Sequence, residues 1–149
     1  MDSTVVVVLI LAAALLLSAG SPTPQGEFVI PASDADVTLL ARLIDVEARG
    51  EPFQGKVAVG AVVVNRVKDP RFPNTIRDVI YEPNQFAVGG LHRFPVPSEE
   101  SRRAAIAALR GEDPTRGALF FYNPDKTVNA AWWATRPARM RIGNHVFTR

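Results

Sequence analysis

The apolar positions divide the chain into an apolar leader, a proline-rich connection and a domain with helical periodicity. Residues 5–17 form an unbroken apolar run, followed by the small residues 18–20. This length is typical of a signal-peptide core and is short for a membrane-spanning helix. Asp2 is the only charged residue before the run, where a signal peptide ordinarily has a basic start. We therefore expect residues 1–20 to be either a signal peptide or an uncleaved membrane anchor, and both interpretations predict export.

The connection is predicted to cover residues 21–33, and the folded domain residues 34–149. Pro22, Pro24 and Gly26 are typical of a linker. The first helix of the domain is expected to begin after Ser33, because Asp36 follows three residues later and completes a capping box.

The remaining pattern predicts an α+β fold that is mostly helical, with a small sheet. Residues 54–68 are rich in β-branched residues, which favour strands, but their length and the small residues Ala58 and Ala61 favour a buried helix. Asn74 is expected to cap the next helix and Ser98 the one after the loop. The other predicted elements are a helix at 75–81, a loop at 84–97, a helix at 98–110, and strands at 118–122 and 142–147 on either side of Trp132–Trp133.

Composition excludes several classes of protein and site. The chain has 149 residues, which suits one domain after the leader and linker. With no cysteine and two histidines, it has neither disulfides nor the ligands of a thiolate or histidine-rich zinc site. Its net charge is +2, without the dense basic patches of a nucleic-acid-binding protein. A mildly basic domain suits an anionic polymer such as a cell wall, and no cofactor is implied.

Glu47 is the acid whose position on the first helix is unusual. At about 100° per residue, Glu47 lies beside Leu40, Leu43 and Ile44 on the apolar face, whereas Asp45 falls on the opposite side. Burial raises the pKa of a carboxyl group, and glycoside cleavage needs an acid that is still protonated near neutral pH. The alternative is that Glu47 is solvated at the end of the helix or pairs with Arg49.

Several segments together resemble the SleB/CwlJ cell-wall hydrolases, which include spore cortex-lytic enzymes. They are ARLIDVEARGEPFQGKVAVGAVVVNRV at 41–67, FPNTIRDVIYEPNQF at 72–86, LRGEDPT at 109–115, GALFFYNP at 117–124 and IGNHVF at 142–147. The resemblance implies a lysozyme-like domain, similar to lytic transglycosylases and resuscitation-promoting factors, with Glu47 as the catalytic acid.

Five further residues are candidates for binding substrate. Gln85 and Phe86 lie in a loop where a sugar could stack and form hydrogen bonds, and Tyr122 could orient the catalytic acid. Trp132 suits sugar stacking, although one of two adjacent tryptophans is often a core anchor. Asn65 could contact substrate or bond buried backbone. His145 is expected to be structural.

The expected activity is cleavage of the bond between N-acetylmuramic acid and N-acetylglucosamine in peptidoglycan. A lytic transglycosylase needs one carboxylate and leaves 1,6-anhydromuramic ends. A hydrolytic muramidase ordinarily needs a second carboxylate, for which Glu51, Asp78 and Glu82 are candidates. A third possibility is a non-catalytic peptidoglycan-binding module. The expected location is periplasmic, cell-wall associated or membrane-anchored, with membrane contact only through the N-terminal segment.

Overall fold

The computed structural model describes residues 27–137 and 140–149. Helices α1 (Asp34–Ala48), α2 (Phe53–Lys68), α3 (Ile76–Tyr81) and α4 (Glu99–Leu109) enclose the main core, and α5 (Ala130–Ala134) follows the first strand. Strands β1 (Phe120–Tyr122), β2 (Met140–Ile142) and β3 (His145–Thr148) form an antiparallel sheet in the order β1-β3-β2. The predicted leader and most of the predicted linker lie outside the described residues.

Helix α1 begins with the predicted capping box. The Asp36 N–H donates to Ser33 Oγ at 3.2 Å, and the Ser33 N–H donates to Asp36 Oδ2 at 2.8 Å. The end of the predicted linker packs on the domain, since Ile30 is buried and the Val29 N–H donates to the Leu109 carbonyl at 2.8 Å.

Helix α2 forms where the valine-rich sequence left the choice between strand and helix open. Its residues Val57, Val59, Val62 and Val63 are buried against the neighbouring helices. A Cβ added at Gly60 would lie 2.9 Å from the Ala108 Cβ, so glycine permits α2 and α4 to pack closely. Tertiary burial therefore outweighs the strand preference of the β-branched residues.

The structure corrects three local predictions. The side chain that caps α3 belongs to Thr75 rather than Asn74, and it accepts from the Asp78 N–H. The predicted loop at 84–97 contains a 3₁₀ helix, Val88–Arg93, which is held by Arg42 donating to the Leu91 and Phe94 carbonyls at 2.8 Å each. A long-range side-chain bond of this kind leaves no local sequence signal.

The third correction concerns the end of the chain. The single strand predicted at 142–147 is a hairpin, in which β2 and β3 pair through Arg141 opposite Val146. Gly143 turns the chain with a φ of +59°, a conformation that L side chains rarely adopt. The dipeptide Gly143–Asn144 between two short apolar segments is a hairpin signal that the sequence analysis missed.

Candidate active site

Glu47 lies at the C-terminal end of α1, where the helix borders an open cleft. Its side chain is half-buried, and Oε1 accepts a hydrogen bond of 2.8 Å from the Ala87 N–H. Burial raises the pKa of Glu47, while the Ala87 N–H acts in the opposite direction and lowers it. A carboxyl group with a raised pKa can hold its proton near neutral pH and deliver it to a leaving oxygen.

The cleft beside Glu47 has a volume of about 520 Å³ and is lined by both aromatic and polar residues. It continues into a cavity of about 450 Å³, which also borders Glu47 and lies past the end of α1. A lining that is both aromatic and polar suits a carbohydrate, because the faces of sugar rings stack on aromatic side chains and sugar hydroxyls need hydrogen bonds. The aromatic lining residues are Phe86, Phe120, Phe121, Tyr122, Trp132 and Trp133, and the polar ones include Arg66, Asn84, Gln85, Asn123, Lys126 and His145.

Three aromatic rings in mutual contact form one part of the cleft wall. Tyr122 is buried and stacks on Trp133 with ring centroids 4.9 Å apart and planes at 19°. Trp132 meets Trp133 edge to face at 4.8 Å and is itself 54% exposed. Trp133 therefore lies between the other two rings, and Trp132 presents an exposed ring at the edge of the cleft, with the Arg136 guanidinium 5.3 Å from its centroid.

Gln85 and Phe86 line the same cleft, next to Arg66. The Arg66 guanidinium donates through Nη1 to Gln85 Oε1 at 3.1 Å and through Nε to the Leu119 carbonyl at 2.8 Å. Arg66 is not among the candidate residues predicted from the sequence. A signal was present, because Arg66 follows Val62 and Val63 at helical spacing and so lies on the buried face of α2.

Asn65 does not lie in this cleft. Its amide nitrogen donates to Asp113 Oδ2 at 2.9 Å and to the Ala118 carbonyl at 3.0 Å. Asp113 also accepts from the Thr115 and Gly117 N–H groups, and these bonds lower the pKa of Asp113 against the effect of burial. Of the two roles expected for Asn65, the geometry supports bonding within the connection between α4 and β1.

His145, which is expected from the sequence to be structural, lines both cavities. Its Nδ1 lies 3.7 Å from Glu51 Oε1, and Glu51 Oε2 accepts from the Asn144 N–H at 3.0 Å. Burial lowers the pKa of His145, and the Glu51 carboxylate opposes that effect. The pair joins the start of α2 to the β2–β3 hairpin beside the cleft.

Asp45 shows that burial alone does not distinguish Glu47. The helical wheel placed Asp45 away from the apolar face, but its side chain is 3% exposed. It accepts from the Ser98 N–H at 2.7 Å and from the Ser98 and Ser101 hydroxyls at 2.8 Å each. The expectation that Glu47 is the one inward-facing acid of α1 is therefore wrong, because α1 packs on α4 as well as on α2.

Sequence comparison places these features in a known family. A profile described as cell wall hydrolase matches residues 50–148, a range that begins just after Glu47. The chain belongs to the cell wall hydrolase family. The match confirms the resemblance inferred from the five sequence segments.

Individual members of the family extend the match toward the N-terminus. The spore cortex-lytic enzyme of Halalkalibacterium halodurans is 46% identical over 116 residues, which are 77% of this chain and 35% of that protein. The spore cortex-lytic enzyme of Bacillus cereus is 43% identical over 129 residues, which are 86% of this chain and 48% of that protein. The chain thus spans less than half the length of either enzyme. Cell wall hydrolase CwlJ of Bacillus subtilis is 35% identical over 126 residues, with 80% of this chain and 88% of that protein covered.

Two solved structures have the same fold as this family member. The catalytic domain of the germination-specific lytic transglycosylase SleB from Bacillus anthracis has a TM-score of 0.73 and 41% identity, covering 79% of this chain and 97% of that one. The catalytic domain of the Bacillus cereus SleB protein has a TM-score of 0.73 and 38% identity, covering 88% of this chain and all of that one. The predicted α+β fold is confirmed. Over residues 27–137 and 140–149, no helix has the length and apolar character needed to cross a bilayer.

Proposed function

We propose that the protein is a lytic transglycosylase that cleaves peptidoglycan between N-acetylmuramic acid and N-acetylglucosamine. The observation that carries this proposal is a half-buried Glu47 with a raised pKa, placed between the two cavities of a cleft with an aromatic lining. The similarity to the catalytic domain of a lytic transglycosylase supports the same reaction class.

Glu47 acts first as an acid and then as a base. Its carboxyl proton passes to the glycosidic oxygen as the bond to the muramic C1 breaks, and an oxocarbenium-like centre develops at C1. The resulting Glu47 carboxylate takes the proton of the muramic C6 hydroxyl, while O6 forms a bond to C1. The products are a 1,6-anhydromuramic end and a free N-acetylglucosamine hydroxyl, and Glu47 is protonated again.

The remaining predicted residues hold the glycan in this scheme. Trp132 offers an exposed ring for stacking, Gln85 and Phe86 contact the sugar from their own part of the cleft wall, and Tyr122 supports Trp133. Asn65 takes no part in binding, since its amide is engaged outside the cleft. Because the proposed substrate is the cell wall, we propose that the protein acts in the periplasm or at the wall. The apolar segment 1–20 would direct its export, as a signal peptide or a membrane anchor.

The proposal is tested by digesting purified peptidoglycan and identifying the soluble muropeptides by mass spectrometry. Wild-type protein should release anhydromuramic ends, and Glu47→Gln should release none. The matched control is Glu51→Gln, which removes the neighbouring carboxylate at the adjoining cavity and should leave the anhydro products in place.

Other products would overturn the proposal in distinguishable ways. Reducing muramic ends that disappear with Glu51→Gln would indicate a muramidase with Glu51 as its second carboxylate. Free stem peptides would exclude glycan cleavage altogether. Binding to peptidoglycan without release of any product would indicate a binding module.

A further inference from the structure

Arg66 is a buried cation at the wall of the cleft. Its side chain is 3% exposed and lies against the rings of Phe72, Phe86 and Phe120, at 5.0, 5.0 and 5.2 Å from their centroids. A guanidinium is the cation best suited to such a site, because it stacks on aromatic faces and is more weakly hydrated than an ammonium group. The bond from Nε to the Leu119 carbonyl fixes the plane of the group.

The bond from Arg66 determines which end of the Gln85 amide is free. A guanidinium carries donors and no acceptor, so it is the Gln85 Oε1 atom that must face Arg66. The amide nitrogen of Gln85 donates to no group among the described residues. Since Gln85 is exposed and lines the cleft, its NH₂ group is available to a bound ligand.

Arg66 also supports the segment that contacts Glu47. It bonds Gln85 and stacks on Phe86, and the next residue, Ala87, donates its N–H to Glu47 Oε1. Two consecutive residues of this segment are thus held by one buried side chain, directly before the backbone group that reaches the candidate acid.

We propose that Arg66 is a positioning residue that directs the Gln85 NH₂ group toward an N-acetyl carbonyl oxygen of the glycan. The inference rests on the proposed function, because it takes a glycan with N-acetyl groups as the ligand. A carbonyl oxygen accepts hydrogen bonds and cannot donate, so it requires a donor, whereas a sugar hydroxyl is satisfied by either partner. A fixed donor therefore distinguishes N-acetylated glycan from de-N-acetylated glycan.

The first test is Gln85→Glu, assayed on peptidoglycan before and after chemical de-N-acetylation. The new carboxylate still accepts from Arg66, so the thermal midpoint should not fall, but the donor to the substrate is lost. We expect cleavage of N-acetylated glycan to fall about 10- to 100-fold, through an increase in KM. Cleavage of de-N-acetylated glycan, whose ammonium groups suit a carboxylate, should fall less or rise, so the preference of the enzyme between the two substrates should decrease at least tenfold.

The second test is Arg66→Lys, which keeps the charge and loses the planar fork that orients the amide. It should lower the preference for N-acetylated glycan in the same direction as Gln85→Glu. Arg71→Lys is the matched control, because Arg71 is an exposed arginine paired with Asp69, and it should change neither substrate preference nor KM.

A purely structural Arg66 would reduce cleavage of both substrates equally, and an unchanged preference in Gln85→Glu would overturn the inference even if Arg66→Lys did not fold. In either case the wild-type protein would still release anhydro products, so the proposed function would stand. If the wild-type protein released no glycan fragments, the proposed function would fail and this inference with it.

Discussion

Helix α1 carries two carboxylates, two residues apart, of which Asp45 is buried and Glu47 is half-buried. Asp45 lies in the contact between α1 and α4, where the Ser98 N–H and the Ser98 and Ser101 hydroxyls donate to it. Glu47 lies at the cleft, where one backbone N–H donates to Oε1. Both side chains have lost water, Asp45 more than Glu47, and among the described residues three groups donate to Asp45 and one donates to Glu47.

The difference shows how a fold separates a structural carboxylate from a chemical one. At Asp45 the donors are Ser98, which caps α4, and Ser101 in the first turn of that helix, so the carboxylate joins the N-terminus of α4 to α1. At Glu47 burial outweighs the single hydrogen bond, and the pKa is raised. A carboxyl group whose ionised form is poorly compensated is available for proton transfer, whereas the Asp45 carboxylate accepts three hydrogen bonds that join two helices.

Removing the Glu47 carboxylate should have the largest effect. Glu47→Gln keeps the size of the side chain and removes its acid–base function, so we expect activity on peptidoglycan to fall by about 100- to 10,000-fold. Because the variant no longer has an ionised group in this half-buried position, the thermal midpoint at neutral pH should rise. Initial rates of muropeptide release and thermal unfolding measure the two quantities. Activity within tenfold of wild type would contradict the assignment of Glu47.

Removing the Asp45 carboxylate should affect stability instead. Asp45→Ala leaves the Ser98 N–H and two hydroxyls without their acceptor, and we expect a loss of about 3 kcal/mol in the free energy of unfolding. Urea denaturation measures this loss. The protein that remains folded should cleave peptidoglycan at a rate close to that of wild type.

Ser101→Ala removes one of the three donors and should lower the free energy of unfolding by about 1 kcal/mol. If Ser101→Ala were less stable than Asp45→Ala, the assigned role of Asp45 would be contradicted.

These two residues also show how far the sequence could predict the molecule. Ser33 with Asp36, and Ser98 before an alanine-rich segment, located the starts of α1 and α4, because capping is a local interaction. Glu47 could be selected because it shares a helix face with Leu40 and Ile44. The burial of Asp45 could not be predicted, since it depends on how α4 packs on α1. Periodicity within one helix does not contain that information.

The walls of the cleft were predictable to different degrees for the same reason. Trp132 and Phe86 were identified by residue type, because exposed aromatic side chains suit sugars. The role of Arg66 and the path of the 3₁₀ helix were missed, since both depend on side-chain bonds to backbone carbonyls distant in sequence, such as those from Arg42 to Leu91 and Phe94.

The contribution of Glu47 to the free energy of unfolding should depend on pH. Its pKa is raised in the folded state from the ordinary value of 4.5, so the folded protein retains a proton that the unfolded chain releases. The stability gained from that proton is fully present below 4.5 and is lost as the pH rises through the folded pKa. Wild type and Glu47→Gln should therefore be equally stable in acid, with the variant more stable at neutral pH. Denaturation curves over this range measure the difference, and equal stabilities throughout would contradict the raised pKa.

The smallest expected effect comes from the Ala87 N–H, which is the one donor to Glu47 within residues 27–137 and 140–149. Ala87 has a φ of −77°, which proline also adopts, so Ala87→Pro removes the N–H with little change to that residue's backbone. The hydrogen bond lowers the pKa of Glu47, and its loss should raise that pKa further. Since the reaction needs the protonated acid, the alkaline limb of the pH–rate profile should move to higher pH.

Ala87→Ser keeps the N–H and should leave the limb in place, whereas a shift to lower pH in Ala87→Pro would mean that this N–H does not stabilise the Glu47 carboxylate. Ser101→Ala, which removes one donor from Asp45, should lower stability without moving the limb, because Asp45 has no part in the proton transfer.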